Sequence, residues 1–195
     1  HLACLALGVG PGDRVWTSPN SFVASANCAR YCGASVDFVD IDPATFNLCP
    51  QALAAKLAQA ERNGCLPKVV IPVHFGGEPC DMAAIAALAE RYGFAVIEDA
   101  SHAVGAHYRG EAVGNCRYSA ITVFSFHPVK IITTAEGGLA TTNDPQLAQK
   151  MRLRVNKWQF RCRIVTTALN KAGLLRVWPK FSSAANNNFS VVLCS

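Results

Sequence analysis

The sequence predicts an α/β fold: a mostly parallel β-sheet with helices on both of its faces. Short apolar runs alternate with helical patterns over residues 1–150, and the connections between them are short. Polar residues follow several of these runs at their carboxyl ends. The 195 residues are 51% hydrophobic and 16% charged, which suits one domain, or slightly more, with a sizeable core.

The first part of this pattern begins at the end of a helix. Residues 1–7 have a helical pattern, and the glycine-rich run from Gly8 to Gly12 ends it. Because this helix is already under way at His1, we expect the N-terminal part of the domain to be missing. Gly33 ends the next predicted helix, and Gly64 the one after it. The predicted elements are strand 14–18, helix 22–32, strand 35–39 and helix 50–60.

The second part continues the alternation. Asp81 is a good N-cap for a helix that Gly93 ends. Asp144 and Pro145 form the same kind of helix start, with Pro at the first helical position. The predicted elements are strand 68–72, helix 81–92, strands 94–98, 119–124 and 138–141, and a helix from 144 to about 152. Since ligands bind at the carboxyl ends of parallel strands, one edge of the sheet should carry the site.

Charge is distributed unevenly along the chain. Residues 1–150 contain 10 Lys/Arg and 13 Asp/Glu, whereas residues 151–195 contain 8 Lys/Arg and no acid. Such a basic segment can bind nucleic acid, but residues 182–188 are of low complexity and no binding motif is present. We therefore predict no nucleic-acid partner. We interpret residues 153–195 as a tail that is either out of its proper reading frame or a divergent or disordered end.

The cysteines and apolar runs indicate the cellular setting. Nine cysteines are scattered without a CxxC pair, so buried, reduced thiols are favoured over a metal site. Cys28 and Cys32 lie one helical turn apart, but no second pair follows at zinc spacing. No apolar run approaches the roughly 20 residues of a membrane span, and no signal peptide is recognisable. We expect a cytoplasmic protein that has no membrane partner.

Lys130 and Asp99 are the most informative residues. Lys130 lies in a loop after an apolar strand, and Asp99 ends an earlier apolar strand. A lysine amine can form a Schiff base with the aldehyde of pyridoxal 5′-phosphate, and a carboxylate can keep the pyridine nitrogen of that cofactor protonated. Taken singly, the lysine is more typical of a solvated side chain and the aspartate of a helix cap. Together, they predict a pyridoxal-phosphate enzyme in which both are catalytic.

Three further residues are candidates for cofactor binding. Ser125 ends a strand and could reach the cofactor phosphate, although a turn serine is an equal alternative. Phe22 could stack on the pyridine ring, or it could pack in the core. His102, three residues after Asp99, could contact the cofactor or orient Asp99, or it could be structural. We leave His74 and His127 outside the site.

Several stretches together resemble the DegT/DnrJ/EryC1/StrS family of sugar aminotransferases, which are fold-type I enzymes that use pyridoxal phosphate. The resemblance covers about residues 1–152. The stretches that carry it are 10–15, 18–27 (Ser-Pro-Asn-Ser-Phe-Val-Ala-Ser-Ala-Asn), 73–77 (Val-His-Phe-Gly-Gly), 97–103 (Ile-Glu-Asp-Ala-Ser-His-Ala), 124–130 (Phe-Ser-Phe-His-Pro-Val-Lys) and 131–138.

The resemblance implies a role for each candidate. Lys130 would bind the cofactor covalently and move protons, while Asp99 would pair with the pyridine nitrogen. Ser125 would bind the phosphate, Phe22 would stack on the ring, and His102 would lie near the cofactor hydroxyl. The amino donor would be glutamate or glutamine, and the acceptor a nucleotide-linked keto sugar. Within the family, these motifs are most similar to those of members that aminate C4 of a UDP-linked 4-keto-6-deoxy-N-acetylhexosamine on the way to pseudaminic acid.

The sequence also departs from the family pattern. The Gly-Thr turn that holds the phosphate would precede His1, and no match is recognisable after Arg152. Family active sites are built across a homodimer, so a homodimer is expected of the complete protein. Some relatives with histidine in place of the lysine are dehydratases, but Lys130 favours transamination.

Two other function classes compete with this interpretation. A catalytically incompetent relative that acts as a ligand-binding or regulatory module stays open, because both flanks differ from the family. A nicotinamide-dependent oxidoreductase would need a glycine fingerprint between a strand and a helix. The glycine run from Gly8 to Gly12 instead follows a helix and precedes a strand, so this class is disfavoured.

Overall fold

The computed structural model describes residues 1–156 and 189–193, and a seven-stranded sheet is the centre of this part of the chain. The elements up to the fourth strand are α1 Leu2–Ala6, β1 Arg14–Thr17, α2 Ala24–Tyr31, β2 Ser35–Phe38, α3 Pro50–Arg62, β3 Val69–Ile71, a 3₁₀ turn Phe75–Gly77, α4 Met82–Tyr92 and β4 Ala95–Asp99. The later elements are β5 His107–Tyr108, β6 Glu111–Ala112, β7 Ile121–Ser125, β8 Gly138–Thr142, α5 Pro145–Asn156 and β9 Phe189–Leu193.

The strand order of the sheet is β2-β1-β3-β4-β7-β8-β9. The first five strands in this order are parallel, and β8 and β9 are antiparallel to their neighbours. The predicted mostly parallel sheet is therefore confirmed. Because β3, β4 and β7 run in the same direction, the loops that follow them leave from one edge.

Alternation along the strands places helices on both faces of the sheet. Val15 is buried on one face against the cluster that includes residues of α1, α2 and α5. Its neighbour Trp16 is buried on the other face with residues of α3 and α4. Successive strand side chains point to opposite faces, so adjacent apolar residues fill two separate cores. This is why the strands read as continuous apolar runs.

The predicted N-caps of α4 and α5 and the glycine that ends α4 agree with the structure. Asp81 caps α4 by accepting a hydrogen bond from the Ala84 N–H, and Gly93 ends the helix with φ of 77°. Asp144 caps α5 by accepting hydrogen bonds from the backbone of Gln146 and Leu147. Each cap satisfies backbone N–H groups that have no partner within the helix.

The structure adds elements that the sequence pattern did not predict. Strands β5 and β6 form a two-stranded hairpin, and its turn contains Arg109 and Gly110, both with positive φ. Strands of two residues are too short to show periodicity. Helix α5 continues past the expected end at residue 152 to Asn156, and β9 pairs with β8. The remainder of the predicted 153–195 tail lies outside the described residues.

Two features are absent from the described part of the chain. Within residues 1–156 and 189–193, every helix is too short or too polar to cross a membrane. In the same part of the chain, no group of three or more His, Cys, Asp or Glu side chains is arranged to hold a metal ion. The seven cysteines of this part are free thiols.

Candidate active site

Asp99 is the last residue of β4, and its carboxylate is held from two sides. Ser25 Oγ, on α2, donates a hydrogen bond of 2.7 Å to Oδ2. Ser101 donates to Oδ1 twice, from its backbone N at 3.1 Å and from its hydroxyl at 2.6 Å. An ionised carboxylate has about four acceptor positions. These three bonds, all from described residues, leave one position, on Oδ2, for a further donor such as a protonated ring nitrogen.

Lys130 and His102 meet at the same edge of the sheet. Lys130 Nζ lies 3.0 Å from His102 Nε2, within hydrogen-bond distance. His102 belongs to the turn that starts at Asp99, and Lys130 belongs to the loop after β7, the neighbour of β4. The structure therefore brings the predicted lysine to the turn that carries the predicted aspartate.

Phe22 and Ser125 lie on loops and strand ends at this edge. Phe22 directly precedes α2, and 74% of the residue is exposed, so its ring is available to a ligand. Its carbonyl accepts a hydrogen bond from the backbone N of Ser25, the residue that holds Asp99. Ser125 is the last residue of β7, and within the described part of the chain its hydroxyl accepts a long contact of 3.5 Å from His127 N. The Phe22 ring and the Ser125 hydroxyl are therefore both available to a ligand.

A buried polar network lies beneath this turn. His74 is fully buried, and its Nδ1 accepts a hydrogen bond from the backbone N of Cys80. The ring proton is therefore on Nε2, which donates to Glu98 at 3.0 Å. Glu98 also accepts hydrogen bonds from Ser119 and Thr122. Every polar group in this network has a partner, so the hydrogen bonds of His74 join β4 to the segment that contains Cys80.

The 3₁₀ turn packs closely on the backbone of the site. Gly77 has φ of +91°, and a Cβ atom at this position would lie 2.6 Å from the carbonyl oxygen of His102. Only glycine allows this approach. The 3₁₀ turn therefore packs directly against the backbone of His102 and restrains its position.

The sequence did not identify Ser25 and Ser101 as site residues. Ser101 had a local signal, since a Ser two residues after an Asp at a strand end is typical of an Asx-type turn. Ser25 is 74 residues away from Asp99 in sequence. Only the tertiary fold brings the first turn of α2 to the end of β4, and no spacing rule within one segment predicts it.

Comparison with known proteins identifies the family. The profile described as the DegT/DnrJ/EryC1/StrS aminotransferase family matches residues 1–174. The chain belongs to this family. The match extends beyond the resemblance at about residue 152 that the sequence motifs indicated.

Relatives of this DegT/DnrJ/EryC1/StrS chain include characterised and solved aminotransferases. GDP-perosamine synthase of Caulobacter vibrioides is 48% identical over 156 residues, which is 78% of this chain and 39% of the relative. An aminotransferase structure from Psychrobacter cryohalolentis is 40% identical with a TM-score of 0.71, and the match covers 80% of this chain and 38% of that one. The family and the fold-type I sheet are thus confirmed, while the chain spans about two fifths of the length of these relatives.

The cofactor prediction agrees with the family. NtdA from Bacillus subtilis, whose structure is described with bound cofactor PMP, is 34% identical with a TM-score of 0.65, and the match covers 77% of this chain and 32% of NtdA. PMP is the amino form of pyridoxal phosphate, and family members use this cofactor. In this chain, the free acceptor position on Asp99 and the amine of Lys130 fit such a group. The roles of the five predicted site residues stay predictions.

Proposed function

We propose that the protein carrying this sequence is a pyridoxal-phosphate-dependent aminotransferase that acts on a nucleotide-linked keto sugar, with glutamate or glutamine as amino donor. One observation carries the proposal: Lys130 Nζ lies 3.0 Å from His102, in the turn that begins at Asp99. A nucleophilic amine and an oriented carboxylate at one sheet edge are the two groups that this cofactor requires.

Each residue has a definite task in this proposal. When bound, the cofactor supplies a conjugated ring that accepts electrons from the carbon bearing the amino group. Lys130 would hold the cofactor at Nζ and carry protons at that atom, and His102 would keep the amine pointed into the site. Asp99 would hold a proton on the ring nitrogen. Ser125 would bind the phosphate, and Phe22 would cover one ring face and exclude water.

Spectroscopy and mass spectrometry test the proposal directly. The experiments use the longest natural protein in which this sequence occurs. Addition of pyridoxal phosphate should give a new absorption band near the visible edge, and borohydride reduction should leave a cofactor adduct on the peptide that contains Lys130. Lys130→Ala should lose both signals. Lys150→Ala, which changes an exposed lysine on α5, should keep both. A wild-type spectrum without the band, and no adduct on Lys130, would contradict the proposal.

Turnover assays separate catalysis from binding. The wild-type protein should convert a nucleotide-linked keto sugar in the presence of glutamate or glutamine, and the product should carry the donor nitrogen. Cofactor binding without turnover of any such sugar would instead support a ligand-binding or regulatory module.

The sugar and its nucleotide are the finer part of the proposal. The resemblance of the sequence motifs favours a UDP-linked 4-keto-6-deoxy-N-acetylhexosamine, whereas similarity to GDP-perosamine synthase favours a GDP-linked sugar. Assays with both nucleotides, each with glutamate and glutamine, discriminate between them. We further propose that the protein is cytoplasmic and forms a homodimer. Sedimentation of the cofactor-bound protein would test the dimer.

A further inference from the structure

We infer that Ser25 is a positioning residue that fixes the Asp99 carboxylate and connects it to the segment carrying Phe22. The inference rests on the proposed cofactor function. It concerns a residue that does not itself reach the cofactor in this role but acts through Asp99. The observation behind it is a continuous chain of hydrogen bonds from Ser21 through Ser25 to Asp99.

The direction of each hydrogen bond in the chain follows from counting protons. The ionised carboxylate of Asp99 can only accept, so Ser25 uses its single hydroxyl proton to donate to Oδ2 at 2.7 Å. Ser25 and Ser21 oxygens are also 2.7 Å apart, so Ser21 is the donor in that contact, and the Phe22 carbonyl, 3.2 Å from Ser21 Oγ, is a longer alternative acceptor for the same proton. Hydrogen bonds that point the same way along a chain polarise and strengthen one another. The chain therefore directs positive ends toward Asp99.

Ser25 is well placed to keep a fixed geometry. It is 5% exposed and lies in the first turn of α2, so packing restricts its side chain. Its backbone N donates to the Phe22 carbonyl at 3.1 Å. One residue thus holds both the carboxylate predicted to meet the ring nitrogen and the segment predicted to cover the ring face.

The two-sided attachment decides the plane of the Asp99 carboxylate. Ser101 donates only to Oδ1, and Ser25 donates only to Oδ2. A carboxylate held at both oxygens is restrained more tightly about its Cβ–Cγ bond than one held at Oδ1 alone. Without Ser25, the direction of the free acceptor position on Oδ2 would be less tightly fixed, and preorganisation toward a ring nitrogen would be reduced.

The state of the ring nitrogen should respond to Ser25. With the Ser25 donor removed, the carboxylate is less stabilised and competes more strongly for the proton of a bound pyridine ring. A residue that only stabilises the fold would not change that proton. The ¹⁵N chemical shift of ring-labelled pyridoxal phosphate therefore distinguishes positioning from structural support.

The test compares Ser25→Ala and Ser25→Thr with Ser35→Ala, a control on the exposed edge strand β2. Ser25→Ala should weaken equilibrium cofactor binding by roughly 10-fold, as expected for loss of one hydrogen bond to a charged group. It should also move the ¹⁵N shift toward that of unprotonated pyridine. Ser25→Thr keeps the hydroxyl and should restore both values, and Ser35→Ala should leave both unchanged.

Denaturant unfolding of each cofactor-free variant checks the fold. If Ser25→Ala does not fold, Ser21→Ala provides the second test, because it removes the donor to Ser25 without touching Asp99. We expect a smaller ¹⁵N change in the same direction. Failure of the wild-type protein to bind the cofactor would overturn the proposed function. If the wild-type protein binds the cofactor and folded Ser25→Ala has an unchanged ¹⁵N shift, only the inference about Ser25 is overturned. If Ser25→Ala does not fold, an unchanged ¹⁵N shift in Ser21→Ala has the same consequence.

Discussion

The amine of Lys130 lies 3.0 Å from Nε2 of His102, although the two residues are 28 positions apart in sequence. The contact is a consequence of sheet topology. His102 follows β4 and Lys130 follows β7, and these strands are parallel neighbours, so their carboxyl-end loops meet. If the amine is charged, His102 Nε2 accepts the hydrogen bond, which requires the proton of the ring to be on Nδ1. The histidine then restrains a side chain that would otherwise sample many rotamers.

Replacement of His102 by alanine should slow attachment of the cofactor to Lys130. Fixing a long side chain costs about 0.5–1.5 kcal/mol, so loss of the restraint should reduce the rate of adduct formation by up to about 10-fold. The rate is measured by borohydride trapping and mass spectrometry of the Lys130 peptide. His107→Ala is the matched control, because His107 is exposed and lies on β5 of the hairpin instead of in the loop that carries Lys130. Equal rates in the wild type and in His102→Ala would contradict a restraining role.

Local signals were enough to predict most of the fold. Asp81 and Gly93 mark both ends of α4 correctly because a cap hydrogen bond and a positive φ depend on residues within one turn. The parallel direction of β1, β3 and β4 follows from the alternation of strands and helices, whereas their order in the sheet does not. By contrast, the short β5–β6 hairpin contains too few residues to show a period.

Prediction of the site was limited in a different way. Asp99 and Lys130 have neighbouring motifs that single them out, and His102 is tied to Asp99 by sequence spacing. Ser25 depends on a contact that crosses 74 residues, and its type is common in helices of any function. Such a partner becomes visible only when the strand order and the position of α2 are known.

Replacement of Gly77 by alanine should be much more damaging than replacement of Gly64. Both glycines have positive φ, of +91° and +61°, so alanine is strained at each by about 1–2 kcal/mol. At Gly64, no atom lies within 4 Å of the new Cβ, whereas at Gly77 the His102 carbonyl oxygen is 2.6 Å away. The overlap should add roughly 1–3 kcal/mol. Urea unfolding measures the difference, and similar free energies of unfolding for the two variants would exclude close packing of the 3₁₀ turn on His102.

Replacement of Glu98 by leucine should destabilise the protein by about 3 kcal/mol, since donors on His74, Ser119 and Thr122 lose their acceptor in a buried site. Glu98→Gln should also destabilise the protein but cost less, because its oxygen can still accept from the two hydroxyls, although its amide N–H meets the His74 N–H as donor against donor. Urea unfolding measures both variants against Glu90→Gln, an exposed change on α4 that should stay within about 0.5 kcal/mol of wild type. Free energies of unfolding within about 0.5 kcal/mol of wild type for both variants would show that the network contributes little.

Cys28 should be more readily alkylated than Cys4, Cys32, Cys80 and Cys116, because the pKa of each of those four thiols is raised. Its sulfur lies 3.6 Å from that of Cys4, and the hydrogen bond from Cys4 lowers the pKa of Cys28 to about 7, against the opposing effect of burial. The same contact and burial raise the pKa of Cys4. Because the thiolate is the reactive form, the alkylation rate at Cys28 should rise as pH increases through about 7 and then level off.

Removal of Cys4 decides whether that contact is the cause. In Cys4→Ala, the largest influence that lowers the Cys28 pKa is lost, so burial dominates and the midpoint of the alkylation profile should move to higher pH. Iodoacetamide labelling of the native protein, followed by mass spectrometry of the Cys28 peptide, measures the profile. Cys80 is the internal control, because burial raises its pKa to about 12 and it should stay unmodified across the same range. A midpoint near pH 7 that persists without Cys4 would assign the shift to another group near the first turn of α2.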